Sequence, residues 1–156
     1  MALYLVRHAK AGQRGSWDGP DHLRPLTKAG RAQAEALATW LANFPVPQIL
    51  SSPYVRCIQT VEPLAAKLDV AIEVTEHLTE AVPFEPALLR LHSLPDHSVL
   101  CTHGDLIPDL IEALVRRGAV IDGATDWRKG STWVLTREDG EVVRAHAVPP
   151  PDADKG

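Results

Sequence analysis

The chain has 156 residues, 45 % of them apolar and 23 % charged, a size and composition that suit one soluble globular domain and exclude a fibrous or wholly disordered chain. A net charge of −4 gives no electrostatic reason to expect a nucleic acid polymer or an anionic membrane as partner. The opening apolar run, Ala2 to Val6, is too short for a signal-peptide core or a membrane span, so the default compartment is the cytoplasm.

Ala2 to Val6 reads as a strand buried on both faces, leading into Arg7-His8. Residues 9 to 25, rich in Gly, Pro, Asp, Arg and His, form a long loop over that strand end. Thr27 is the N-cap of a helix to about Asn43, in which Leu37, Trp40, Leu41 and Phe44 recur at helical spacing before Pro45 and Pro47 stop it. Gln48 to Ser51 is a second strand. Ser52 then serves as an N-cap with Pro53 at the first helical position. This helix reaches about Leu68, with Val55, Ile58, Val61, Leu64, Ala65 and Leu68 inward and Pro63 as a candidate kink.

Val70 to Val74 alternates as a third strand, Pro86 to His92 is a short helix, and Ser98 to Thr102 is a fourth strand. Asp105 caps a helix to about Arg117. Thr132 to Arg137 and Glu141 to Ala147 flank an Asp139-Gly140 pair, a strong hairpin signal. The proline-rich, charged residues from Val148 to Gly156 are expected to be a disordered tail, leaving one domain over 1–147. The fold class that follows is α/β: three layers, α/β/α, with a mostly parallel central sheet and an antiparallel C-terminal hairpin at one edge.

In an open α/β sheet the carboxyl ends of the strands converge on one crevice where ligands bind. Arg7-His8, Arg56 and His103 each follow a predicted strand. Two guanidinium groups and two imidazoles in one crevice make a site for a phosphoryl group, with a histidine available as nucleophile. Taken singly each has a plainer reading: His8 as a buried strand-end histidine, Arg56 as a solvated helix residue, His103 as a packing group. Cys57 and Cys101 lack metal-ligand spacing and read as reduced core thiols. No histidines are spaced as HxH or HExxH, so neither a metal nor another cofactor is expected.

Four motifs bring these residues together in order: Leu5-Val6-Arg7-His8, Ser51-Ser52-Pro53-x-x-Arg56-x-x-x-Thr60, Leu78-x-Glu80 and Thr102-His103-Gly104. In that order they resemble the histidine phosphatase superfamily, the phosphoglycerate mutase-like proteins, over about residues 2 to 147. The resemblance implies that His8 attacks phosphorus while Arg7, Arg56 and His103 hold the phosphoryl oxygens. Glu80 would be the general acid, with Glu76 and Glu85 nearby and an ordinary exposed carboxylate as the alternative. Gly104 lets backbone approach a ligand closely.

The chain has Arg7-His8-Ala9 where the family commonly has Arg-His-Gly. That feature resembles the small SixA-type phosphohistidine phosphatases. Residues 7 to 12, Trp17 and Arg24-Pro25-Leu26 look still more like the phosphatase half found fused to Nudix hydrolases. No Nudix segment precedes them in this sequence, so that partner activity is expected to be absent. The gaps of 23 residues from Arg56 to Glu80 and 22 from Glu80 to His103 leave no room for the helical lid of larger relatives, which predicts a shallow, open site.

Lys10, Arg14, Arg24, Lys28 and Arg31 ring the mouth as binding groups for extra phosphates, or else form a generic solvated face. Trp17 stacks on a base or packs down its own loop. The expected function is a metal-independent phosphatase working through phospho-His8, with phosphohistidine on a protein as first substrate. The alternatives are a nucleoside di- or polyphosphate or another small phosphorylated metabolite as substrate, or a non-catalytic phosphate-binding module.

Overall fold

A computed structural model describes residues 1–151. Strands and helices alternate as β1 (Ala2–Arg7), α1 (Lys28–Leu41), β2 (Ile49–Ser51), α2 (Val55–Leu68), β3 (Ile72–Val74), α3 (Glu85–Ser93) and β4 (Val99–Thr102). They continue as α4 (Leu106–Arg116), β5 (Val120–Asp122), β6 (Thr132–Glu138) and β7 (Glu141–Val148). The seven strands form one sheet in the order β3-β2-β4-β1-β6-β7-β5. β3, β2, β4 and β1 are parallel, and β6 runs antiparallel to both β1 and β7.

Helices cover both faces because successive side chains of a strand point to opposite sides. Tyr4 and Val6 of β1 belong to one core with Leu37 and Leu41 of α1 and Val61 and Leu64 of α2. Leu3 and Leu5 belong to the other core, with Leu88 and Leu91 of α3 and Leu110 and Leu114 of α4. Burial on both sides is why β1 reads as an unbroken apolar run. Thr27 caps α1 as expected, its hydroxyl accepting from the Gly30 amide at 3.0 Å. Asp139 (φ 52°) and Gly140 (φ 80°) are both left-handed, the geometry of a two-residue hairpin turn whose twist matches its strands.

Several expectations need correction. α2 begins at Val55 rather than Pro53, and Ser52 does not cap it; its hydroxyl accepts from the Tyr54 amide at 3.2 Å and meets His103 instead. The buried face of α2 contains Arg56 and Thr60 beside Cys57, Val61 and Leu64, while Val55 and Ile58 are only half-buried. Asp105 occupies the N-cap position of α4 without capping it; its carboxylate accepts from the Ala81 amide at 2.8 Å. β5, three residues with no clear apolar pattern, pairs with the outer side of β7 and forms the sheet edge. Val148 pairs with Thr132, so β7 passes the expected domain end by one residue. The expected disordered tail lies, from residue 152 on, outside the described residues.

Candidate active site

The parallel pairing of β1 with β4 sets Arg7 opposite Thr102, which places His8 and His103 side by side just past the strand ends. The His8 amide donates to the Thr102 carbonyl at 3.1 Å, and the two imidazoles lie 5.5 Å apart at 67°. His8 is 4 % exposed. Its Nδ1 lies 2.8 Å from the Ala9 carbonyl, an atom that only accepts, so Nδ1 carries the proton and Nε2 keeps its lone pair. Burial, above all, lowers the His8 pKa to about 3; His103, Arg56 and Arg7 add to the effect and the Ala9 bond opposes it. Ala9, where the family pattern has Gly, packs fully buried with Leu26 and Ala34. Its amide donates to Thr60 Oγ1 at 2.9 Å, tying the loop after His8 to α2.

Arg56 is 1 % exposed rather than solvated. Its Nη1 donates to the Asp21 carbonyl at 2.9 Å and its Nη2 to Asp21 Oδ2 at 3.1 Å, while Tyr54 stacks on its guanidinium at 4.8 Å. Asp21 also pairs with Arg24 at 3.1 Å and Arg14 at 3.4 Å, so one loop carboxylate gathers three arginines. These charge-assisted bonds hold the Asp21 carboxyl below its usual range against the opposing effect of burial. Arg7 is fixed differently: its Nη1 donates to the Trp127 carbonyl at 2.6 Å. A Cβ on Gly104 would stand 2.5 Å from Arg7 Cζ, so glycine is needed there to make room for the arginine. Gly104 thus serves a close approach of side chain to backbone, and it also lines the pocket beside His8.

His103 is 1 % exposed, with Nε2 at 2.9 Å from Ser52 Oγ. Because Ser52 Oγ already accepts from Tyr54, its hydroxyl is free to donate to Nε2, which leaves the imidazole proton on Nδ1. Glu80 Oε2 lies 3.5 Å from that Nδ1, and Oε1 lies 3.4 Å from Arg56 Nη2 and 3.3 Å from Arg14 Nη2. Five buried side-chain nitrogens or oxygens lack a hydrogen-bond partner among the described residues. Three of them are Arg7 Nε, Arg56 Nε and His103 Nδ1. Unmet buried donors are costly, on the order of 1–3 kcal/mol each, and those of Arg7 and Arg56, which line one pocket with His103 behind Glu80, suit an anion.

The pocket has a volume of about 310 Å³ and is lined by Arg7, His8, Arg14, Arg24, Arg56, Glu80, Gly104, Asp105 and Lys129, with Gly12 and Gln13. The structure thus brings together His8, Arg7, Arg56, Glu80, Arg14 and Gly104, with His103 against Glu80. Lys10 stands apart, on a neighbouring cavity. Lys28 and Arg31 are exposed on α1 and line neither. Trp17 packs down its own loop, Nε1 donating to the Pro20 carbonyl at 2.8 Å. Among the described residues none of α3 lines this pocket; the helix buries Ala87, Leu88 and Leu91 in the core. Sequence reading missed Asp21, Tyr54, Trp127 and Lys129, and it gave Ser52 a capping role in place of its bond to His103. Among the described residues no three His, Cys, Asp or Glu side chains cluster as a metal site.

The profile of the Histidine phosphatase superfamily (branch 1) matches residues 3–82, and the chain belongs to that superfamily. It is 46 % identical over 156 residues to the 8-oxo-(d)GTP phosphatase of Mycolicibacterium smegmatis, an alignment covering 96 % of this chain and 48 % of that relative. The chain therefore spans about half that relative's length. Among solved structures, the protein histidine phosphatase SixA complexed with tungstate superposes with a TM-score of 0.73 at 22 % identity, covering 90 % of this chain and 92 % of the other. A mycobacterial glucosyl-3-phosphoglycerate phosphatase superposes with a TM-score of 0.64 at 19 % identity, covering 94 % and 96 %. At such identities the likeness is one of fold, and the fold is that of the phosphoglycerate mutase-like phosphatases.

Proposed function

We propose that the protein is a metal-independent phosphatase that cleaves phosphate monoester or phosphoramidate bonds through a phosphohistidine on His8. The observation that carries this reading is the set of three unmet buried donors beside a neutral imidazole whose Nε2 lone pair is free. A tetrahedral phosphoryl group would accept from Arg7, Arg56 and His103 at once. The same donors would follow its charge onto the equatorial oxygens of the transition state.

In the first step His8 Nε2 forms a bond to phosphorus as the bond to the leaving atom breaks. The leaving group departs with the electron pair and, where it is basic, takes a proton from Glu80. In the second step Glu80 accepts a proton from water, whose oxygen attacks phosphorus. The P–N bond breaks and its electron pair returns to His8, releasing phosphate. Until a substrate enters, Glu80 lies against groups that would bind it, within 3.5 Å of His103 and 3.4 Å of Arg56.

Two substrate classes have support. The lid-free mouth and the fold shared with SixA favour a projecting phosphohistidine of a protein. Identity of 46 % to a relative named as an 8-oxo-(d)GTP phosphatase favours a nucleotide. The two buried free thiols, Cys57 and Cys101, fit a reducing compartment, and we place the protein in the cytoplasm. Radioactive phosphoryl donor should leave an acid-labile label on the protein in excess EDTA, and His8→Ala should abolish it. Phosphate binding with neither label nor turnover would instead make the protein a phosphate-binding module.

A further inference from the structure

Glu80 sits in a loop that is fastened on both sides to residues flanking His103. Thr102, just before that histidine, donates its hydroxyl to the Leu78 carbonyl at 2.6 Å, a buried bond two residues ahead of Glu80. Asp105, two residues after the histidine, accepts from the Ala81 amide through Oδ2 at 2.8 Å, immediately beyond Glu80. Held at both ends, residues 78–81 bring the Glu80 carboxylate within 3.5 Å of His103 Nδ1 and 3.4 Å of Arg56 Nη2.

Two features set the second tie apart. Ala81 has a φ of 60°, in the left-handed region that a residue with a Cβ seldom adopts. Such a conformation persists only where surrounding contacts hold it. Asp105, for its part, stands at the N-cap position of α4, where a carboxylate ordinarily accepts from the first amides of its own helix. It makes no such bond and turns to Ala81 instead. Asp105 and Glu80 both line the pocket, beside Arg7, whose guanidinium feels the Asp105 charge through space.

We propose that Asp105 is a positioning residue for the general acid, holding Ala81 left-handed so that the Glu80 carboxylate stays over the anion site. The inference rests on the reading of Glu80 as the group that protonates the leaving oxygen. Proton transfer needs hydrogen-bond distance, and a loop tied by Thr102 alone would let the carboxylate drift out of reach. The other route from Asp105 to the chemistry is its charge on Arg7. The two routes make opposite predictions for Asp105→Asn, because an amide oxygen still accepts from Ala81 but carries no charge.

The test is kcat/KM, which covers the steps up to departure of the leaving group, on phenyl phosphate and 2,4-dinitrophenyl phosphate. Phenoxide is basic and needs the proton, whereas dinitrophenoxide leaves without it. Glu80→Gln should lower the ratio of phenyl to dinitrophenyl phosphate by roughly tenfold or more. Asp105→Ala should lower the same ratio about fivefold, the size of one hydrogen bond, while Asp105→Asn stays within about twofold of wild type. Asp105→Ser, whose hydroxyl ends one bond short of the carboxylate yet suits the N-cap position, should share the loss without weakening α4. In a Glu80→Gln background, Asp105→Ala should move the ratio by less than about twofold, because the carboxyl it acts through is gone. Losses equal on both substrates, equal for Asn and Ala, or undiminished in the Glu80→Gln background would overturn the proposal and assign Asp105 to Arg7. A ratio unmoved by Glu80→Gln would overturn the general-acid reading itself, and the proposal with it.

Discussion

The two halves of the sheet treat the site in opposite ways. The parallel half, β3-β2-β4-β1, delivers chemistry by its strand ends: His8, Arg56 and His103 are all nearly inaccessible to solvent. They are fixed by bonds to Ala9, Asp21 and Ser52. Among the described residues the antiparallel half contributes none of the proposed reacting groups. The segment before β6 offers a carbonyl, that of Trp127, and an ammonium, that of Lys129, and the Trp127 ring packs on Trp133 of β6 at 5.0 Å. One arginine is therefore held by a carboxylate and the other by a neutral carbonyl. With a charge-neutral anchor, Arg7 feels a carboxylate only through space, from Asp105, whereas Arg56 bonds Asp21 directly and pairs with Glu80.

The largest expected effect lies wholly in the parallel half. His8→Ala should lower kcat by on the order of 10⁴-fold or more, since it removes the proposed nucleophile. Single-turnover kinetics measure it, and residual turnover within tenfold of wild type would place the nucleophile elsewhere. Arg56→Ala should cost about 10²–10³-fold in kcat. The anchors then separate the halves. Gly104→Ala would press a methyl group onto the Arg7 guanidinium, and a displacement of about 1 Å should cost on the order of 10²-fold in kcat with the fold retained. Asp21→Asn keeps the carbonyl bond to Arg56 but removes the charge, so kcat should fall only about tenfold. An Asp21→Asn loss as large as that of Gly104→Ala would mean that the two guanidinium groups depend equally on their anchors.

The same division governs what the sequence could reveal. β1 and β4 are apolar runs ending on reactive residues, so the strand-end crevice and its four principal groups were legible from pattern and order. Asp21 is one polar residue among many in a glycine- and proline-rich loop, and nothing local marks it as the counter-ion of a buried arginine 35 positions away. Trp127 acts through its carbonyl, an atom every residue possesses. β5 exposes Val120 and Asp122 around a half-buried Ile121, which leaves no alternation to read. The Ser52-Pro53 pair carries a genuine helix-start signal, yet the hydroxyl is engaged by His103, and that competition is tertiary.

A further effect concerns pH and again rests on the enclosure of the parallel half. With its pKa lowered from 6.5 to about 3, His8 stays neutral across ordinary working pH. Corrected for the substrate's own ionisation, kcat/KM should show no acid limb at 6.5 from loss of the nucleophile. Stability carries the complementary sign. Between pH 6.5 and about 3 the unfolded chain binds a proton at this position that the folded protein refuses. The stabilisation present above pH 6.5 is therefore lost progressively as the pH falls toward 3, and changes no further below it. Replacing His8 by Asn removes the titrating group, so the urea-unfolding free energy of the variant should decline less steeply than that of wild type over this window. Parallel curves for the two proteins would show that His8 titrates alike folded and unfolded, and that the strand-end crevice is wetter than its packing implies.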